Sequence, residues 1–114
     1  MSRKSANAPR KQHPARLFAA LGDETRLELI ARLSKGQPRS IAQLTDGTQL
    51  TRQAVTKHLR VLEGVRIVRR ERAGRERLFQ LDPAPLRQVR DYADVVSQQW
   101  DQALSRLKAF VEEK

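Results

Sequence analysis

Eight apolar residues, Leu86, Val89, Ala93, Val96, Trp100, Ala103, Leu107 and Phe110, recur at gaps that alternate between three and four. That is an unbroken a/d heptad series, the signature of a helix with one apolar seam. Leu104 and Val111 widen the seam toward the end. The helix it predicts runs to about Glu113 and is about 30 residues, or about 45 Å, long. Asp82 can cap it, and Pro83 and Pro85 fall in its first turn, where proline is tolerated. In a chain of 114 residues the remainder is too small to cover such a stripe. The first half can pack back on the chain's own core. The rest predicts a second copy, with residues 15–21 contributing to the contact.

The segments before it are short. Residues 1–14 are polar and basic, carry Pro9 and Pro14, and have no apolar period, so they read as a disordered basic tail. Residues 15–114 read as one domain. A short helix over 15–21 ends at Gly22, and Asp23 caps a second. In that second helix Leu27, Ile30 and Leu33 follow at helical spacing with Leu29 beside them, and Gly36 and Pro38 close it. Ser40 caps a third short helix with Ile41 and Leu44 inward, and Asp46-Gly47 makes a turn. Thr51 caps a fourth, whose buried stripe is Val55, Leu59 and Leu62, ending at Gly64. The period then changes: residues 66–72 and 76–81 read as a β-hairpin with Gly74 at its tip. The fold class is mainly α with a small β-hairpin.

Charge adds the partner. The net charge is +10, and its distribution is uneven. Residues 1–16 hold five bases and no acid, and residues 52–77 hold nine bases against three acids. Elsewhere the signs nearly cancel. A generally basic surface would intersperse acids with the bases; concentration in two segments is the footprint of a polyanion partner.

Two short helices, a turn and a helix starting at Thr51 make a helix-turn-helix, whose second helix enters the major groove N-terminus first. With Val55, Leu59 and Leu62 inward, Arg52, Gln53, Thr56, Lys57 and Arg60 fall on the outer face beside Thr51. Gln pairs with adenine in two bonds, Arg or Lys with guanine, and the Thr56 methyl can touch thymine. The same residues would serve as the wet face of any amphipathic helix; the arginine-rich hairpin that follows favours DNA. That hairpin reads as a wing, with Arg72, Arg75 and Arg77 around a tip suited to a narrow minor groove. Arg69 and Arg70 lie lower, at expected phosphate positions, with Glu71 and Glu76 to pair with them.

The stretches "GDETRLELIARL", "QAVTKHLRVLE" and "GRERLFQLDPAPL" resemble the ArsR-type winged-helix repressors, and the likeness covers about residues 16 to 112. The ending "WDQALSRLKAFVE" is similar to a metal-independent branch of that family. The resemblance implies a dimeric winged helix-turn-helix repressor that controls its own operon and releases DNA when a ligand binds. The family's metal sensors carry cysteines in the third helix, where "SIAQLTD" stands here, or Asp with His on the last helix. Asp91, Asp94 and Asp101 have no histidine beside them, and the only two are His13, in the tail, and His58, read as a packing or phosphate-contacting residue. No metal or other cofactor is therefore expected. Arg66 stands where the family often has glycine, which predicts strain if the backbone there is left-handed.

The rival classes are weak. An enzyme needs convergent acid, base or nucleophile; the chain has no cysteine, no catalytic-looking histidine and no Gly-rich phosphate loop. A binder of RNA or single strands needs exposed stacking platforms. Of Phe18, Phe79, Tyr92, Trp100 and Phe110, only Tyr92 falls at a position expected to be exposed. No run of about 20 apolar residues could cross a bilayer and no signal-peptide core follows Met1, so no membrane partner is expected and the cytoplasm is the expected compartment. The expected partners are double-stranded DNA carrying an inverted-repeat operator, a second copy of the chain, and a small apolar effector that a pocket near Trp100 could admit.

Overall fold

The computed structural model describes residues 13–113. The basic tail over residues 1–12 lies outside them. Helix α1 spans Pro14–Leu21 and α2 Glu24–Leu33. Strand β1 is Arg39–Ser40, α3 is Ile41–Thr45 and α4 is Arg52–Gly64. Strands β2 (Val68–Ala73) and β3 (Glu76–Leu81) form the hairpin, and α5 is Pro83–Glu112. His13 and Pro14, read as tail, are instead the cap and first residue of α1: the His13 Nδ1 accepts from the Ala15 N–H at 3.1 Å.

Each helix starts where side-chain chemistry satisfies its free N–H groups. Asp23 accepts from Arg26 N, Thr51 from Ala54 N and Asp82 from Ala84 N. Ser40 and Gln43 form a reciprocal capping box on α3. At the end of α4, Ile67 N donates to Leu62 O and Arg66 N to Glu63 O. That is the Schellman pattern, which requires a left-handed residue. Arg66 supplies it at φ 62°, as the family comparison of that position anticipated.

The strand order is β1-β3-β2, all antiparallel. β1, too short to be read from periodicity, pairs Arg39 with Phe79 and Ser40 with Leu78. The hairpin register places Ala73 opposite Glu76, leaving Gly74-Arg75 as a two-residue turn. Gly74 has φ 64° and Arg75 has no positive φ, the requirement of a type II′ turn.

One core lies between the helices and the sheet. It contains Leu17, Leu29, Leu33, Leu44, the α4 stripe Val55, Leu59 and Leu62, then Val65, Ile67, Val68 and Phe79. Leu27 turns outward instead, 51% exposed, because Leu29 takes the inward position on α2. Leu86 and Val89, at the start of α5, pack against this core. They were expected in the dimer seam; here they anchor α5 to its own domain. Beyond them the stripe is uncovered: Trp100 is 63% exposed and Phe110 60%. Among the described residues, no helix is long and apolar enough to cross a membrane.

Candidate nucleic-acid interface

The turn between α3 and α4 fixes how the fourth helix is presented. Gly47 takes φ 79°, and the Thr48 hydroxyl donates to Thr45 O at 2.6 Å while accepting from Leu50 N at 3.2 Å. Arg32, reaching over from α2, donates to Leu44 O and Asp46 O at 3.3 and 2.8 Å. The orphan carbonyls at the end of α3 are thereby satisfied, which locks α3 and the turn to α2. Helix α4 then enters the core through Val55, Leu59 and Leu62.

Its opposite face carries the residues expected there. Thr51, Arg52, Gln53, Thr56, Lys57 and Arg60 line one open groove together with Ile41 and Ala54. The last two were not expected. Ile41 reaches the groove because α3 packs beside the start of α4. The Thr56 hydroxyl donates to Arg52 O at 2.8 Å, so its one donor is used within the helix while its oxygen can still accept and its methyl can make apolar contact. Arg52, Gln53, Lys57 and Arg60 are exposed.

The hairpin concentrates charge toward its tip. Arg72 stands directly opposite Arg77, and both are exposed. Arg75 occupies the turn. None of the three has an ion-pair partner among the described residues. Lower down, Arg70, expected to pair with Glu71 or Glu76, pairs with Glu63 instead: its Nε and Nη2 donate to the two oxygens of Glu63 at 2.8 Å, and its guanidinium lies 5.7 Å from the centre of the Phe79 ring. The bidentate pair raises the Arg70 pKa further above its already high value, first by the hydrogen bonds and then by the charge of Glu63. Glu71 pairs with no arginine among the described residues; it accepts from Gln80 at 3.3 Å. Arg70 thus staples the root of the wing to α4.

His58, read as a packing or phosphate-contacting residue, packs toward α2. It is half-buried in α4, with Nδ1 3.3 Å from Arg26 Nη1. Phe18, expected to be buried, is 40% exposed and meets Tyr92 of α5 edge-on at 5.7 Å.

Residues 21–71 match the family described as a helix-turn-helix domain. The chain is 37% identical over 92 residues to the HTH-type transcriptional regulator Rv2034 of Mycobacterium tuberculosis, covering 81% of this chain and 82% of that protein. The fold superposes on the ArsR-like transcriptional regulator from Rhodococcus sp. RHA1 with a TM-score of 0.79 at 31% identity, over 88% of this chain and 91% of that one. The chain belongs to the ArsR-like family of winged helix-turn-helix transcriptional regulators.

The ArsR-like fold is shared more widely. The homodimeric winged helix-turn-helix DNA-binding domain Mb0332 of Mycobacterium bovis has the same architecture, with a TM-score of 0.60 at 19% identity over 77% of this chain and 82% of that one. In an ArsR-like regulator α4 is the second helix of the DNA-binding motif and β2–β3 is the wing. The homologues are regulators of transcription.

Along α5 the eight seam positions divide. Leu86 and Val89 belong to the core, Val96 and Ala103 are half-buried, and Ala93, Trp100, Leu107 and Phe110 are exposed. Val95, Leu104 and Val111 add exposed apolar surface that strict a/d counting left out or placed only at the margin.

Proposed function

We propose that this ArsR-like regulator is a homodimeric repressor that reads an inverted repeat in duplex DNA and controls its own operon. The observation that carries the reading is the α4 groove: cations, an amide and a methyl line the solvent face of the motif's second helix, with no acid among them. Groove-reading helices use this set of side chains. Arg72, Arg75 and Arg77 then serve the flanking minor groove and phosphates. The dimer forms through α5 beyond Val89, with Phe18 and Tyr92 at its edge. Support comes from the exposed apolar stripe, which exceeds what a lone soluble chain ordinarily leaves wet. The likeness to a homodimeric domain of the same fold points the same way.

Metal independence belongs to the proposal. The chain offers no thiolate, and its histidines serve the cap of α1 and the contact between α2 and α4. Release from DNA would instead come from a small apolar molecule at the α5 seam, where Gln99, Trp100 and Ala103 line a shallow hollow.

Selection of duplexes from a random pool tests the reading. The expected product is an inverted repeat whose half-site centres lie about 10 base pairs, or roughly 34–36 Å, apart. Equal retention of all duplexes, or preference for single strands, would overturn it.

A further inference from the structure

Arg26 sits where three helices meet. Its Nε donates to Ala20 O at 2.6 Å and its Nη2 to Ala19 O at 3.4 Å, in the last turn of α1. Its Nη1 lies 3.3 Å from Nδ1 of His58, midway along α4. Asp23, the cap of α2, lies 4.0 Å from the same guanidinium and 3.9 Å from the same ring nitrogen. The Arg26 and His58 side chains are only 16% and 24% exposed, so water competes weakly for these contacts. Helix α1 in turn rests on α5 through Phe18 and Tyr92. A continuous line of contacts therefore runs from α5 through α1 and Arg26 into α4.

We propose that Arg26 is a positioning residue for DNA reading, setting α4 against α1 and the α5 seam through a hydrogen bond that His58 accepts only when neutral. The inference rests on the reading of α4 as the DNA-contacting helix. Its chemistry is set by donor count. A guanidinium has donors only, so the 3.3 Å contact is a hydrogen bond only when Nδ1 carries a lone pair. The ring proton then sits on Nε2. Protonation makes Nδ1 a donor facing a cation: the bond to Arg26 is lost, and the ring's remaining partner is Asp23.

The hold on α4 thereby passes from Arg26, which is tied to the end of α1, to Asp23, the cap of α2. The charged groups facing His58 are Arg26 on α2 and Asp23 at its start; α1 presents the Ala19 and Ala20 carbonyls to Arg26. On α4 itself, Lys57 and Arg60 point into solvent. The consequence has a definite sign. Added positive charge alone strengthens binding to DNA. Loss of the Arg26 bond weakens it. Affinity should therefore fall when the His58 ring takes up a proton, against the electrostatic trend.

The test uses the full chain in two arms. In the first, NMR follows the His58 ring nitrogens and the backbone amides without DNA. The expected result is a neutral ring protonated at Nε2, whose titration shifts the amides of Ala19, Ala20 and α4 together. A ring protonated at Nδ1, or a titration that leaves the Ala19 and Ala20 amides still, overturns the proposal whatever the DNA arm shows.

In the second arm, anisotropy measures binding to a duplex that the wild type selects from a random pool. Affinity should fall about tenfold from neutral to acid pH, the size of one lost charge-assisted bond. His58→Gln keeps an acceptor without titrating, so it should bind as the wild type does at the higher pH and show no fall. His13→Asn should keep the full fall. A profile that His58→Gln leaves unchanged contradicts the proposal. Failure to select any duplex contradicts the DNA reading itself, and the NMR arm still decides the role of Arg26.

Discussion

Arg72 and Arg77 face each other across the wing, a like-charged pair on neighbouring strands without an ion-pair partner among the described residues. Such a pair opposes hairpin formation by about 0.2–1 kcal/mol. Its presence makes sense if a polyanion supplies the missing charge. Arg77→Thr should therefore stabilise the free protein slightly, seen as a raised urea midpoint. It should also weaken every duplex and lower the slope of log affinity against log salt by about one unit per lost phosphate contact. Unchanged salt dependence would remove the wing from the interface.

The left-handed Arg66 carries a separate cost. An L-residue with a side chain is disfavoured there by about 1–2 kcal/mol, and glycine is not. Arg66→Gly should raise stability by about 1 kcal/mol, since the Schellman bonds of Ile67 and Arg66 involve only backbone. Thermal or urea unfolding checks this. A loss of stability would mean that the Arg66 side chain makes up for its backbone.

Asp23 sets an acid limb. The Arg26 backbone N–H, then the Arg26 and His58 charges against some desolvation, hold its carboxyl below the ordinary carboxylate range. A lowered folded-state pKa stabilises above the unfolded value of about 4 and is lost as pH falls below it. Asp23→Asn keeps a good cap without the titration. It should flatten the fall in stability below about pH 4, because the variant lacks at neutral pH the part of the stability that the wild type loses in acid. An equally steep acid limb in the variant would assign the titration elsewhere.

Much of this was legible beforehand because caps and periods are local. Asp23, Ser40, Thr51 and Asp82 announce helix starts, and Val55, Leu59 and Leu62 announce the inward face of α4, so the six groove residues follow by geometry. What could not be read depends on contacts distant in sequence. Arg70 resembled its neighbours Arg69 and Arg72, but only the fold brings it to Glu63. Strand β1 is two residues long and exists only because β3 offers an edge. Leu86 and Val89 share the heptad with Trp100, and no period tells where α5 leaves its own core. Phe18 looked like core until Leu17 took that place.

The dimer reading concerns that exposed part of α5. Leu107→Asp or Trp100→Asp would put a carboxylate into the proposed seam, at a cost of about several kcal/mol to association. Because both side chains are more than half exposed in one chain, the variants should stay folded, become monomeric in analytical ultracentrifugation and lose tight binding to a selected duplex. A dimer that survives both substitutions would place the interface elsewhere.

The central claim is that the N-terminal turns of α4 read bases. The most direct measurement compares wild type with Gln53→Ala/Thr56→Ala on the selected inverted repeat and on a scrambled duplex at one salt concentration. Both positions lie on the groove and outside the buried stripe, so the double variant should fold normally. The expected result is a loss of about 1–3 kcal/mol per base contact on the selected repeat, with scrambled-duplex binding nearly unchanged. Equal affinity and equal preference in the double variant would contradict it.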